Sequence, residues 1–148
     1  MKKTLLILLI IFTLNVYSQD KGFGVGVIIG EPTGISLKNW LNTKNAIDAG
    51  FSWTLYKPAL HIHVDYLWHS YNVFNTKERI PLYYGVGGRI KFGNKDDARI
   101  GVRGVIGVDF FVRNAPIDIF IEIAPIFDLI PSTSMSGNGG LGIRYFFN

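Results

Sequence analysis

Apolar and polar residues alternate along most of the chain after residue 20. A period of two is typical of β-strands with two different faces, because successive side chains on a strand point to opposite sides. The alternation is clearest between Ala59 and His69. There, one face carries Leu60, Ile62, Val64, Tyr66 and Trp68, and the other carries His61, His63, Asp65 and His69. No later segment shows the period of an amphipathic helix, so the pattern predicts an all-β protein.

The pattern predicts eight strands joined by short links. They span 22–30, 35–41, 46–53, 59–69, 82–92, 99–111, a segment that begins at 117, and 139–147. Residues 30–34, 54–58, 93–98 and 131–138 are predicted to be turns at one end of the strands. If the seventh strand continues beyond Pro125, that residue needs an edge or bulge position, because proline has no N–H to donate. The eight strands fill residues 19–148 and leave no room for a second domain.

The first 18 residues have the organisation of a secretory signal peptide. Residues 1–3 are a basic start, and residues 4–14 form an uncharged apolar run. This run is shorter than the ~20 residues that a membrane-spanning helix needs, but it suits the apolar region of a signal peptide. Val16 and Ser18 suit the last positions before a cleavage site. We therefore predict a signal peptide at 1–18 and an exported mature chain at 19–148.

The amino-acid composition excludes several kinds of functional site. The chain has no cysteine, which excludes disulfides, thiolate metal sites and lipid attachment at a cysteine. It has 17 glycines and 14% aromatic residues, a mixture that favours a β-protein with closely packed backbones. The net charge is +4, and it falls to +2 when Lys2 and Lys3 leave with the signal peptide. This small excess gives no support for a nucleic-acid partner.

The residue types on the two faces favour a membrane barrel over a soluble one. A soluble barrel turns its apolar face inward, whereas an outer-membrane barrel turns it toward lipid and encloses polar residues. The opposite face here mixes glycine with charges of both signs, which suits a narrow lumen. Aromatic residues on the apolar face lie near strand ends, as the interfacial girdles of membrane barrels require. They are Phe23, Trp53, Trp68, Phe92, Phe110, Tyr145 and Phe147.

Several segments resemble a poorly characterised family of small outer-membrane barrels from Gram-negative bacteria. The resemblance is carried by residues 26–38, 60–68, 84–89 and 124–144. Residues 141–147 are similar to the C-terminal signal of such barrels, although Asn148 follows the terminal aromatic residue. The resemblance implies an OmpA/OmpX-like, eight-stranded antiparallel up-and-down transmembrane β-barrel. It implies no catalytic chemistry, because none is established for that family.

His61, His63 and Asp65 are the sharpest candidates for a metal site. Strand spacing places all three side chains on one face, about 7 Å apart for every two residues. Histidine and aspartate suit zinc and similar ions. However, neighbours on a single strand rarely complete a coordination shell without help from an adjacent strand. A hydrogen-bond network inside the barrel is therefore the favoured interpretation, and we predict no bound metal or cofactor.

The polar face predicts a charge network in the lumen. It contains five acids and five bases, and this near-balance suggests mutual pairing, because unpaired charge in a narrow interior is costly. The network is Lys38, Asp48, Asp65, Arg89, Lys91, Arg103, Asp109, Asp118, Glu122 and Arg144. Such pairing favours a plugged barrel over an open pore, and a small charge-gated channel is the alternative.

These features predict a monomer in the outer membrane, with lipid around it and its termini in the periplasm. A structural or surface-interaction role follows from the short external turns, since barrels that bind partners often carry long loops.

Two alternatives remain. A soluble barrel that binds a small apolar ligand would turn Ile119, Ile121 and Ile123 inward. A lipid A-modifying enzyme would need a nucleophile beside a base, and Ser52 and the His69–Ser70 pair are its candidates. Adjacent residues on a strand face opposite sides, which argues against that pair, so we predict no catalytic residues.

Overall fold

A computed structural model describes residues 20–54, 59–93 and 98–147 of the chain, and these residues form eight strands. In chain order they are β1 (Phe23–Glu31), β2 (Thr33–Trp40), β3 (Asn45–Trp53), β4 (Ala59–Ser70), β5 (Leu82–Gly93), β6 (Ala98–Phe111), β7 (Ile117–Ile130) and β8 (Ser134–Phe147). The predicted signal peptide at 1–18 lies outside the described residues, as do 55–58 and 94–97 within two predicted turns. The described ranges contain no helix long and apolar enough to span a membrane.

The eight strands form one closed barrel. Each strand pairs antiparallel with the next in sequence, and β1 closes the barrel by pairing with β8. Phe23 pairs with Phe147, so both ends of the described chain lie at one end of the barrel, called here the termini end. The opposite end is called the far end. The prediction of an eight-stranded antiparallel up-and-down barrel is confirmed.

β8 begins five residues earlier than the alternation predicts. Residues 134–138 were expected to be part of a polar turn, because all of them except Met135 are small or polar. In the structure they continue the ladder with β7, from Ala124 paired with Asn138 to Asp128 paired with Ser134. Small polar residues are compatible with a strand where it has a long partner to pair with, so the 131–138 turn shrinks to residues 131–133.

Pro125 lies neither on an edge strand nor at a bulge, the two positions that the sequence suggested for it. β7 continues past it to Ile130, and Pro125 pairs with Gly137 on β8. On the other side, the pairing of β7 with β6 is interrupted between Arg103 and Ile106. A closed barrel has no edge strand, and the register shift with β6 lies farther along, at Ile100/Gly101. The missing donor is thus accommodated by a short gap in one ladder.

Candidate functional site

The two faces of every strand have opposite characters. Large hydrophobic side chains face outward on all eight strands, and the inward face carries buried charges. The predicted aromatic residues at strand ends all lie on the outer face, and Tyr145 alone among them is only half-exposed. The inward face encloses the candidate site, which is the barrel lumen.

Glycines make the space in which the lumenal side chains pack. Gly26 lies against Arg144, and a Cβ at that position would collide with it. Gly107 has the same relation to Tyr83, and Gly142 to Phe120. An eight-stranded barrel has an interior just wide enough for side chains, so each large residue needs a small neighbour. The need for a small residue beside each large one accounts for the glycines on the polar face.

The charges nearest the termini end form a closely paired group, called here the termini-end layer. Arg144 donates from Nε to Asp118 Oδ1 at 3.0 Å and from Nη2 to Asp109 Oδ1 at 2.9 Å. Lys38 Nζ donates to Asp109 Oδ2 at 2.6 Å. The Arg144 guanidinium also lies 3.9 Å from the centre of the Phe120 ring. Every charged side chain in this layer is essentially inaccessible to solvent.

His69 is part of the same layer. Its Nε2 lies 3.3 Å from Asp109 Oδ2, and its Nδ1 lies 3.1 Å from the Lys44 carbonyl oxygen. Ser70 follows at the end of β4 and is half-buried. The histidine therefore has two structural contacts inside the barrel.

An ion pair between Arg89 and Asp128 lies toward the far end. The charged and polar side chains around it are called here the far-end layer. Arg89 donates to both carboxylate oxygens of Asp128, at 3.0 Å and 2.6 Å, and to Ser136 Oγ at 3.2 Å. Asp128 was missing from the predicted network. The sequence could have indicated it, because Asp128 is an even number of residues from Asp118 and Glu122 and therefore faces the same side of the strand. The prediction left the course of the seventh strand beyond Pro125 open, and Asp128 lies in that part of the strand.

His61 also lies in the far-end layer, where it is buried. It is directly opposite Ser52 on β3 and Lys91 on β5. Ser52 is buried as well, so neither side chain reaches the outer surface of the barrel. Lys91 is half-buried, the most open member of the predicted network.

The middle of the lumen holds Asp48, His63, Asp65, Arg103 and Glu122, called the middle layer. Arg103 Nε lies 2.9 Å from Asp65 Oδ2, and its Nη2 lies 3.5 Å from Glu122 Oε1. Tyr83 donates to Glu122 Oε2 at 2.7 Å. His63 Nε2 is 3.9 Å from Asp65 Oδ2.

The link between β4 and β5 covers the termini end. Backbone N–H groups of Asp109 and Phe111 donate to the carbonyls of Pro81 and Arg79. The Arg79 guanidinium lies over the rings of Tyr71 and Phe111, at 5.4 Å and 5.1 Å from their centres. Tyr71 donates to the Thr43 carbonyl at 2.7 Å. Burial, with the negative charge of Asp20 nearby, raises the pKa of the Tyr71 hydroxyl, which keeps it a donor.

The architecture resembles solved outer-membrane barrels. The chain is similar in structure to the N-terminal β-barrel domain of Pseudomonas aeruginosa OprF, with a TM-score of 0.59, 12% identity, and coverage of 84% of this chain and 95% of that one. It is also similar to Neisserial surface protein A, NspA, with a TM-score of 0.56, 16% identity, and coverage of 84% and 93%. Both are eight-stranded outer-membrane barrels. No protein-family model matches the chain, and no curated protein matches it in sequence.

Proposed function

We propose that this protein is a monomeric outer-membrane β-barrel of a Gram-negative bacterium, with a structural or surface-interaction role and a closed lumen. The observation that carries the proposal is the inverted distribution of residues. On each strand an outward-facing large hydrophobic residue is 42–59% exposed, and buried charges lie inside the barrel. These residues are Val27, Ile35, Phe51, Val64, Val86, Val102, Ile121 and Leu141. Lipid is the solvent in which such a surface is stable.

The height of the apolar surface fits a membrane. On β6 the outward hydrophobic residues extend from Ile100 to Phe110. Ten residue steps of about 3.3 Å, tilted by about 40° as in membrane barrels, give a height of about 25 Å. This equals the apolar band expected for an outer-membrane barrel.

Aromatic residues at both ends of the outer face support the same placement. At the termini end, Trp68 stacks on Tyr84 with ring centres 5.9 Å apart, and Tyr145 contacts Phe147 edge to face. At the far end, Trp53 and Phe92 are exposed. Aromatic rings are favoured at the boundary between lipid tails and water.

The soluble alternative requires the opposite orientation of β7. Ile119, Ile121 and Ile123 all face outward, and the last two are exposed by about 60%. The lumen contains buried ion pairs in the volume that a small apolar ligand would occupy. Both observations favour lipid over an internal ligand as the partner of the apolar residues.

A closed lumen and short links favour a structural or surface-interaction role without catalysis. The layers of charge and the β4–β5 link fill the barrel from the middle to the termini end. At the far end, the link between β1 and β2 is Pro32 alone and that between β7 and β8 is three residues long. Surfaces of this size suit contacts with lipid or with a neighbouring envelope protein.

Cell fractionation with gel electrophoresis tests the proposal. We expect the protein in the outer-membrane fraction, released only by detergent, and we expect the unboiled sample to migrate differently from the boiled one. Closed membrane barrels remain folded in cold detergent, which gives this shift. A protein released without detergent, with one mobility, would contradict the proposal and favour the soluble barrel.

A further inference from the structure

The middle layer carries more negative than positive charge. Among the described residues it contains three carboxylates, Asp48, Asp65 and Glu122, and one guanidinium, Arg103. The termini-end and far-end layers pair their carboxylates with bases at 2.6–3.0 Å. With every group ionised, the middle layer has a charge of about −2, and an uncompensated buried charge is strongly unfavourable.

Among the described residues of this layer, Asp48 is the carboxylate without a basic partner within contact distance. Lys38 lies directly opposite it in the β2–β3 register. However, the Lys38 ammonium turns away to Asp109, at 2.6 Å. Asp48 is 3% exposed, and its Oδ1 is buried without a hydrogen-bond partner. A buried carboxylate oxygen without a hydrogen-bond partner at the edge of a cavity is a position where a water molecule or a cation can bind.

Three side chains could hold that cation. Asp48, His63 and Asp65 each offer one ligand atom, and these atoms all lie within 4.8 Å of one another. Around a zinc ion bound at about 2.0 Å, ligand atoms lie about 3.3 Å apart, so each would need to move by about 1 Å. Asp48 comes from β3 and the other two from β4, where Asp48 and Asp65 are directly opposite. The adjacent strand thus supplies the third ligand.

The surroundings leave room for an ion. Gly50 is opposite His63, and Gly87 is opposite Asp65. A Cβ on either glycine would collide with the side chain opposite it. A cavity of about 20 Å³ borders Asp48 and His63 and extends to Glu31 and Pro32 at the far-end turn. This volume is sufficient for a water molecule or an ion, and its lining reaches the far-end turn.

We propose that Asp48, His63 and Asp65 bind one divalent transition-metal ion of the zinc or manganese class. Two carboxylates and one imidazole suit these ions better than magnesium or calcium, which prefer oxygen ligands alone. The 2+ charge balances the middle layer. Arg103, held by Glu122, stays beside Asp65 and orients its carboxylate as an outer partner.

His61 is excluded from this site by its neighbours. It lies directly opposite Lys91, with Arg89 two residues before Lys91 on the same strand. Two cations beside an imidazole disfavour a bound metal ion. His61 shares a residue type, a strand and a face with His63, so it provides a matched control.

Metal content and calorimetry on the untagged mature chain, refolded in detergent, test the site. The probes are Zn²⁺ and Mn²⁺, with Mg²⁺ and Ca²⁺ as comparison ions. We expect one Zn²⁺ or Mn²⁺ per chain. We expect Asp48→Asn and His63→Ala to weaken the metal affinity by at least ~100-fold, because replacing even a residue that only hydrogen-bonds to a ligand lowers metal affinity about 10–100-fold. His61→Ala should retain wild-type affinity.

The far-UV circular dichroism spectrum of each variant first verifies that the barrel is folded, so that a loss of binding reports on the ligands. Binding that is absent in the wild type, or unaffected by Asp48→Asn, would overturn the proposal. In the first case a proton shared between Asp48 and Asp65 would be the means of neutralisation. If His61→Ala loses metal binding and Asp48→Asn retains it, the result would instead favour a metal site formed by His61, His63 and Asp65 on β4. The measurement does not depend on the membrane location proposed above.

Discussion

At the scale of single residues, the lumen is stabilised by pairs whose members are both buried. Arg144 is the central case, because its guanidinium contacts both Asp109 and Asp118. Replacing one member of such a pair leaves the others charged and unsolvated, which costs far more than the pair itself contributes. An exposed ion pair has no such consequence, since water solvates the partner that remains.

We therefore expect Arg144→Met to lower the free energy of unfolding by ~3–5 kcal/mol. The matched control is Arg113→Met, because Arg113 pairs with Glu78 at 2.8 Å but its side chain is 63% exposed. That change should cost less than ~1 kcal/mol. Urea-induced unfolding in lipid vesicles, followed by gel mobility, measures both. Equal costs for the two variants would contradict the pairing described here.

At the scale of elements, β7 illustrates how the alternation of one strand determines its environment. Its even-numbered residues from Asp118 to Asp128 are buried in the lumen, and its odd-numbered residues from Ile119 to Leu129 are exposed. The apolar alternation continues through Pro125 because the ladder with β8 remains paired there. The outward positions also differ in how near they lie to the far end: Leu129 is close to it, and Ile121 is eight residues away from Leu129 along the strand.

This difference predicts the effect of a charge on the outer face. Ile121→Arg places a charge in the middle of the apolar surface and should destabilise the folded barrel in membranes by ~2–4 kcal/mol. Leu129→Arg is on the same strand and face but lies near the far end, and should cost ~0–1 kcal/mol. Folding yield and urea unfolding in vesicles measure the two. A smaller cost at Ile121 than at Leu129 would argue against a membrane around this face.

At the scale of the whole molecule, buried side chains are the basis for the closed lumen that we propose. Lys38, Tyr83, Phe120, Phe146 and Arg144 are almost completely buried in a lumen of eight strands. In the proposed closed barrel, these rings and charges occupy the volume that water would need for conduction. The glycines beside Tyr83, Phe120, Phe146 and Arg144 provide space that these side chains occupy.

We therefore expect the purified protein to leave vesicles impermeable. Vesicles that contain it should not swell in isotonic sugar solution, and planar bilayers should show no stable conductance steps. An open porin, reconstituted in the same way, is the control that verifies the assay. Reproducible conductance from the folded protein would favour the charge-gated channel instead of the plugged barrel.

Much of this architecture can be predicted from the sequence. The eight strands and their two faces follow from an alternation that each strand carries within itself. β8 was predicted too short at the far end because the pattern there is largely polar, and the prediction left the continuation of β7 beyond Pro125 open. In both places the pairing with a neighbouring strand, which no single segment contains, maintains the strand.

The arrangement within the lumen was decided by the tertiary structure. Sequence alone places Lys38, Asp48 and Asp109 on the inward face, and strand register alone would pair Lys38 with Asp48. Closure of the barrel brings Asp109 within reach of the Lys38 ammonium and leaves Asp48 beside His63 and Asp65. Alternation is a local property of the chain, because it depends on the direction of successive side chains. The choice of partner depends on distances across the lumen, which exist only after β1 has paired with β8.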